Sequence, residues 1–114
     1  MRDGKPTVLI VDDEIDMRLL VRVILEGADL GIEVVGEAED GLAALAVFDT
    51  LTPPEIPDVV ILDNRMPGRS GMEVAGEMLR REPRQKVVLF SAFLNPALQE
   101  QAMALGVKAC VGKN

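Results

Sequence analysis

Apolar residues recur along the chain in two rhythms. The first is a set of short unbroken runs rich in β-branched residues: Val8-Leu9-Ile10-Val11, Val34-Val35, Val59-Val60-Ile61-Leu62, Val87-Val88-Leu89-Phe90, and Val107 to Val111. These five runs read as buried strands, and their continuous apolar character predicts cover on both faces and hence a parallel sheet. The second rhythm is helical. Ile15, Leu19, Leu20, Val23 and Ile24 form one stripe closed by Gly27, and Leu42, Leu45, Ala46 and Phe48 form another. A third helix is announced by Ser70-Gly71-Met72-Glu73, a capping box, and carries Met72, Ala75, Met78 and Leu79. A fourth opens with Asn95 as N-cap and Pro96 at the first helical position, and stops at Gly106.

The resulting order, βαβαβαβαβ, predicts right-handed crossovers and an open, doubly wound five-stranded parallel sheet in three α/β/α layers. No fifth helix follows the last strand. One flank of the sheet is therefore expected to expose an apolar strip, which favours self-association. Pro53, Pro54 and Pro57 mark a loop too short to separate domains, and the 114 residues are expected to form one domain, residues 1–114.

Composition narrows the chemistry. Twelve Lys+Arg against 19 Asp+Glu give a net charge of −7, with no basic cluster to attract a phosphate backbone, so direct nucleic-acid binding is not expected. The chain has one Cys and no His, which removes the usual zinc sites, Ser-His and Cys-His nucleophile pairs and imidazole acid–base catalysis. A lone Cys fits a reducing compartment, and no apolar run reaches the roughly 18 to 20 residues that span a bilayer. A cytoplasmic protein with neither leader nor membrane segment is the expectation. Carboxylate, hydroxyl and lysine chemistry remains.

In such a sheet ligands bind beyond the carboxyl ends of the strands, near the switch in strand order. The first strand ends in Asp12-Asp13 followed by Glu14, the third in Asp63, the fourth in Ser91, and the fifth leads to Lys113. Taken singly, each has an ordinary explanation: helix N-terminal carboxylates, a turn aspartate, a strand-ending serine, a solvated lysine. Jointly they place three carboxylates, a hydroxyl and a fixed positive charge on one edge. Carboxylates that converge there repel one another unless a cation sits among them, and hard oxygen donors suit Mg²⁺.

With these residues in place the chain resembles the receiver domain of two-component response regulators. The resemblance rests on Val-Leu-Ile-Val-Asp12-Asp13-Glu14, on Asp63-Asn-Arg-Met66-Pro67-Gly68 with Gly71, on Ser91-Ala92, and on Gly106 with Lys113 seven residues later. It implies a flavodoxin-like fold in which Asp63 is the phosphoacceptor. Asp12, Asp13, Asp63 and the backbone carbonyl of Arg65 would hold Mg²⁺, and Ser91 and Lys113 would bind the phosphoryl group. The implied donor is a phosphohistidine on a sensor histidine kinase or phosphotransfer protein, and such a domain assists its own phosphorylation without turning over an external substrate. Arg65 and Phe93, each two residues beyond a site residue, stand where they would screen the acyl phosphate and set its lifetime.

Three departures from the family pattern are visible. Cys110 occupies the position of the usual switch Tyr or Phe, Asn114 that of the usual proline, and the fifth helix, which commonly serves output and dimerisation, is not in the chain. An alternative reading is a degenerate receiver acting as a phosphorylation-independent interaction module; a homodimer and a downstream effector domain stay open as partners. A dehalogenase-type phosphohydrolase would need a second carboxylate two residues after Asp63, where Arg65 stands, and no phosphate-binding glycine loop or dinucleotide fingerprint occurs.

Overall fold

Parallel strands need crossovers long enough to hold a helix, and the spacing of the apolar runs supplies them. The computed structural model describes residues 6–27, 31–51, 56–66, 68–92 and 94–112. Its elements run β1 (Thr7–Val11), α1 (Ile15–Gly27), β2 (Glu33–Ala38), α2 (Gly41–Thr50), β3 (Val59–Asp63), α3 (Gly71–Arg81), β4 (Lys86–Ser91), α4 (Pro96–Leu105) and β5 (Ala109–Gly112). The five strands pair in parallel in the order β2-β1-β3-β4-β5. The chain winds outward from β1 to β2, then back across β1 to β3, so the switch in strand order falls between β1 and β3.

The two faces of the sheet are covered unequally. On one, α2, α3 and α4 bury the larger core: Val60, Leu62, Val87 and Leu89 of the sheet meet Leu45, Phe48, Val74, Met78 and Ala102. The other is covered by α1, whose Val21 and Leu25 pack on Val8, Ile10 and Val34. Beside α1, the sheet residues Ile61, Val88, Phe90 and Val111 line an open apolar groove of about 230 Å³ together with Val21, Ile24 and Leu25.

This changes two sequence expectations. The apolar stripe of α1 faces outward, with Ile15, Leu19, Leu20, Val23 and Ile24 all at least half exposed. The helix seats the interleaved Val21 and Leu25 instead. Continuous cover holds for β1, buried throughout, but β4 alternates and β5 is largely exposed. Val107, read as the start of the last strand, is buried but precedes it: its N–H donates to Ala102 O in the turn that ends α4 (3.1 Å). In α2, Leu45 and Phe48 are buried while Leu42 and Ala46 are exposed.

The helix ends follow the local sequence. Ser70 accepts from Glu73 N while Glu73 accepts from Ser70 N, closing the capping box. Asn95 caps α4 by accepting from Leu98 N, and Gly106 ends it at φ 107°, a left-handed conformation that favours glycine. Asp40 caps α2 through Ala43 N.

Candidate functional site

The site is built at the switch point by backbone register. Val11 lies opposite Leu62 in the β1–β3 pair, so the residues that follow, Asp12 and Asp63, leave the sheet side by side. Asp12 is 2% exposed and tethered at three atoms. Its N–H donates to Ala38 O at the end of β2 (3.0 Å), its Oδ1 accepts from Glu14 N (3.0 Å), and its carbonyl accepts from Arg18 Nη1 (2.6 Å). Asp13 is exposed, and Asp63 is 3% exposed with Oδ1 accepting from Arg65 N at 3.2 Å.

Carboxylate oxygens of Asp12, Asp13 and Asp63 all lie within 4.8 Å of one another. Like charges near 4 Å repel by on the order of 1 to 4 kcal/mol per pair between bulk water and a protein surface, so the cluster favours a cation among its oxygens. An all-oxygen, carboxylate-rich donor set suits a hard divalent ion such as Mg²⁺.

Behind Asp63, Asn64 ties the end of β3 to the start of α3. Asn64 accepts from Gly71 N with its carbonyl (2.9 Å) and from Met72 N with its side chain (3.1 Å), satisfying the first N–H groups of α3. Gly71 sits so close to the loop that a Cβ there would lie 2.4 Å from Asp63 O.

Ser91, buried at 1%, ends β4 on the same edge, one residue past the Asp63–Phe90 register pair. Arg65 is exposed, its backbone N–H turned to Asp63. Lys113 and Phe93 lie outside the described residues. Cys110, opposite Leu89 in the β4–β5 pair, is half-buried, and burial raises its thiol pKa, which disfavours the reactive thiolate. Two residues that the sequence reading did not single out adjoin the site: Arg18, and its partner Glu37 near the carboxyl end of β2. Inspection of every strand end, β2 included, would have brought Glu37 forward. Arg18 had no such signal, because its contacts cross between elements.

A family model described as the response regulator receiver domain matches residues 8–114. The chemotaxis protein CheY of Listeria monocytogenes is 35% identical over 106 residues, covering 93% of this chain and 84% of its own. Among solved structures, the receiver domain of NarL from Mycobacterium tuberculosis superposes with a TM-score of 0.84 at 36% identity, covering 96% of this chain and 85% of its own. The response regulator TrrA of Thermotoga maritima, determined in complex with Mg²⁺ and BeF, gives a TM-score of 0.81 at 34% identity over 96% of this chain and 87% of its own. Fold, strand order and matched length agree, and the chain belongs to the response regulator receiver domain family.

Proposed function

We propose that this chain is a phosphoacceptor receiver, residues 1–114, in which Asp63 takes a phosphoryl group from a phosphohistidine of a partner kinase or phosphotransfer protein in the cytoplasm. The observation that carries the reading is the convergence of the Asp12, Asp13 and Asp63 carboxylates within 4.8 Å at the switch point of the sheet. One carboxylate oxygen of Asp63 attacks phosphorus in line as the bond to the donor nitrogen breaks, leaving an acyl phosphate on Asp63, and the donor ring, which keeps the proton on its other nitrogen, departs as neutral imidazole. Such transfer depends chiefly on positioning and charge neutralisation. Mg²⁺, held by Asp12, Asp13, Asp63 and the Arg65 carbonyl, supplies positive charge and orientation when bound. The contacts of Asn64 with the start of α3 aim the nucleophile, and the burial of Asp63 limits access of water to the acyl phosphate. Ser91 and Lys113 hydrogen-bond and neutralise phosphoryl oxygens, and Arg65 and Phe93 screen the bond from water. The Ser91 contact pulls the segment after β4 inward and biases the adjacent surface between two states.

The test is intact mass after incubation with Mg²⁺ and acetyl phosphate. The expected product is a single phosphoryl adduct that requires Mg²⁺, vanishes in Asp63→Asn and forms more slowly in Asp13→Asn and Lys113→Ala. A folded, Mg²⁺-binding sample that gains no adduct overturns this reading in favour of a phosphorylation-independent interaction module, which the missing aromatic at Cys110 would then help explain.

A further inference from the structure

We propose that Arg18 is a positioning residue for the cation site, acting through the backbone of Asp12; the inference rests on the Mg²⁺ reading above. The first indication is an inversion within α1. The helix leaves Ile15, Leu19, Leu20, Val23 and Ile24 at least half exposed, yet holds the Arg18 side chain at 12% exposure. Withdrawing a guanidinium from water is costly unless its donors are matched, so the burial must be offset by specific partners.

Those partners tie α1 to β2 and to the residue that follows β1. Arg18 Nε donates to Glu37 Oε1 at 3.1 Å, and Nη1 donates to the Asp12 carbonyl at 2.6 Å. The other Glu37 oxygen accepts from Arg22 Nε at 2.7 Å, so the two arginines hold the carboxylate from separate sides. The chain of alternating charges continues through Arg22 to Glu26 at 3.6 Å, whose Oε2 accepts from Val34 N at 3.2 Å. Asp12 is thereby gripped on both backbone groups, its N–H by Ala38 O of β2 and its carbonyl by Arg18. With the Glu14 N–H on Oδ1, the direction in which its carboxylate meets a cation is fixed before the ion arrives.

Position and charge make opposite predictions. Arg18 is positive and close to the cluster, so if it acted by charge alone its removal would tighten Mg²⁺ binding. If it acts by position, removal weakens binding, by on the order of tenfold for a group that orients a ligand from outside the coordination shell.

The experiment is calorimetric titration of the whole chain with Mg²⁺, beside thermal melts in metal-free buffer, for wild type and for Arg18→Ala, Arg18→Lys, Glu37→Gln, Arg22→Ala and Asp63→Asn. Arg18→Ala is expected to weaken binding about tenfold, with Glu37→Gln and Arg18→Lys between it and wild type. Arg22→Ala loses its own ion pairs but leaves the Arg18–Asp12 contact, so its melting temperature falls while its Mg²⁺ affinity stays at the wild-type value. Should Arg18→Ala prove insoluble, Glu37→Gln against Arg22→Ala carries the same contrast. Unchanged or tighter binding in Arg18→Ala, or an equal loss in Arg22→Ala, overturns the positioning role alone. A wild type that binds no Mg²⁺, or an Asp63→Asn variant that binds it equally well, overturns the cation site and this inference with it.

Discussion

Gly71 controls the approach of α3 to the nucleophile. A Cβ at this position would lie 2.4 Å from Asp63 O and 2.7 Å from Asn64 Cα, both backbone atoms with no side-chain freedom to give way. Gly71→Ala therefore has to push α3 from the loop or bend the loop away from Asp12 and Asp13. We expect a loss of about 1 to 3 kcal/mol, read as a lower urea midpoint with unchanged slope, and slower phosphoryl adduct formation at saturating Mg²⁺. The acidic residues were legible in the sequence because they follow hydrophobic runs, and the parallel direction of the strands then carries them to one edge. The Arg18–Glu37 pair was not, since the two stand 19 positions apart on the consecutive elements α1 and β2 and only the docking of α1 on β2 brings them together. Asn64 was read only as part of a motif. Its role as a staple on the N-terminus of α3 depends on bonds to Gly71 and Met72, seven and eight positions along the chain.

At the scale of elements, helix ends were legible and helix orientation was not. Ser70, Asn95 and Gly106 act through bonds to residues within four positions, so local sequence suffices to place them. Ser70→Ala removes the acceptor for Glu73 N and is expected to cost about 1 kcal/mol, visible as a lower thermal midpoint, with Ser70→Asp restoring it. The α1 helix shows the opposite case. Val21 and Leu25 form one i, i+4 row while Leu19 with Val23 and Leu20 with Ile24 form others, so its periodicity offers more than one apolar face. Counting favoured the outward stripe. What selects the inward face is tertiary: Arg18 and Arg22 must reach Glu37, and that rotation lays Val21 and Leu25 on Val8, Ile10 and Val34.

Among the described residues one face of the sheet is well covered and the other partly open, and the site sits at the edge between them. Cover on both faces does not extend to β4 and β5, where the expected apolar strip on one flank appears instead, because continuous apolar runs say only that a strand can be buried on both sides. The open side carries the groove of Val21, Ile24, Leu25, Ile61, Val88, Phe90 and Val111, flanked by the exposed row of Leu20, Val23 and Ile24. Contiguous apolar surface of this kind drives association in water, while the net charge of −7 opposes it and is screened by salt. The two effects give a signed prediction. The 114-residue chain should associate increasingly with concentration, and more strongly at 0.5 M than at roughly 0.05 M NaCl, where the Debye length is longer. Sedimentation velocity across both salts checks this. Ile24→Glu, which places a charge on the rim of the groove without touching Arg18, Glu37 or the carboxylates, should return the chain to a monomer in either salt while leaving its Mg²⁺ affinity unchanged. Sedimentation as a monomer at every concentration and salt would show that the charge, rather than the apolar flank, governs this molecule in solution.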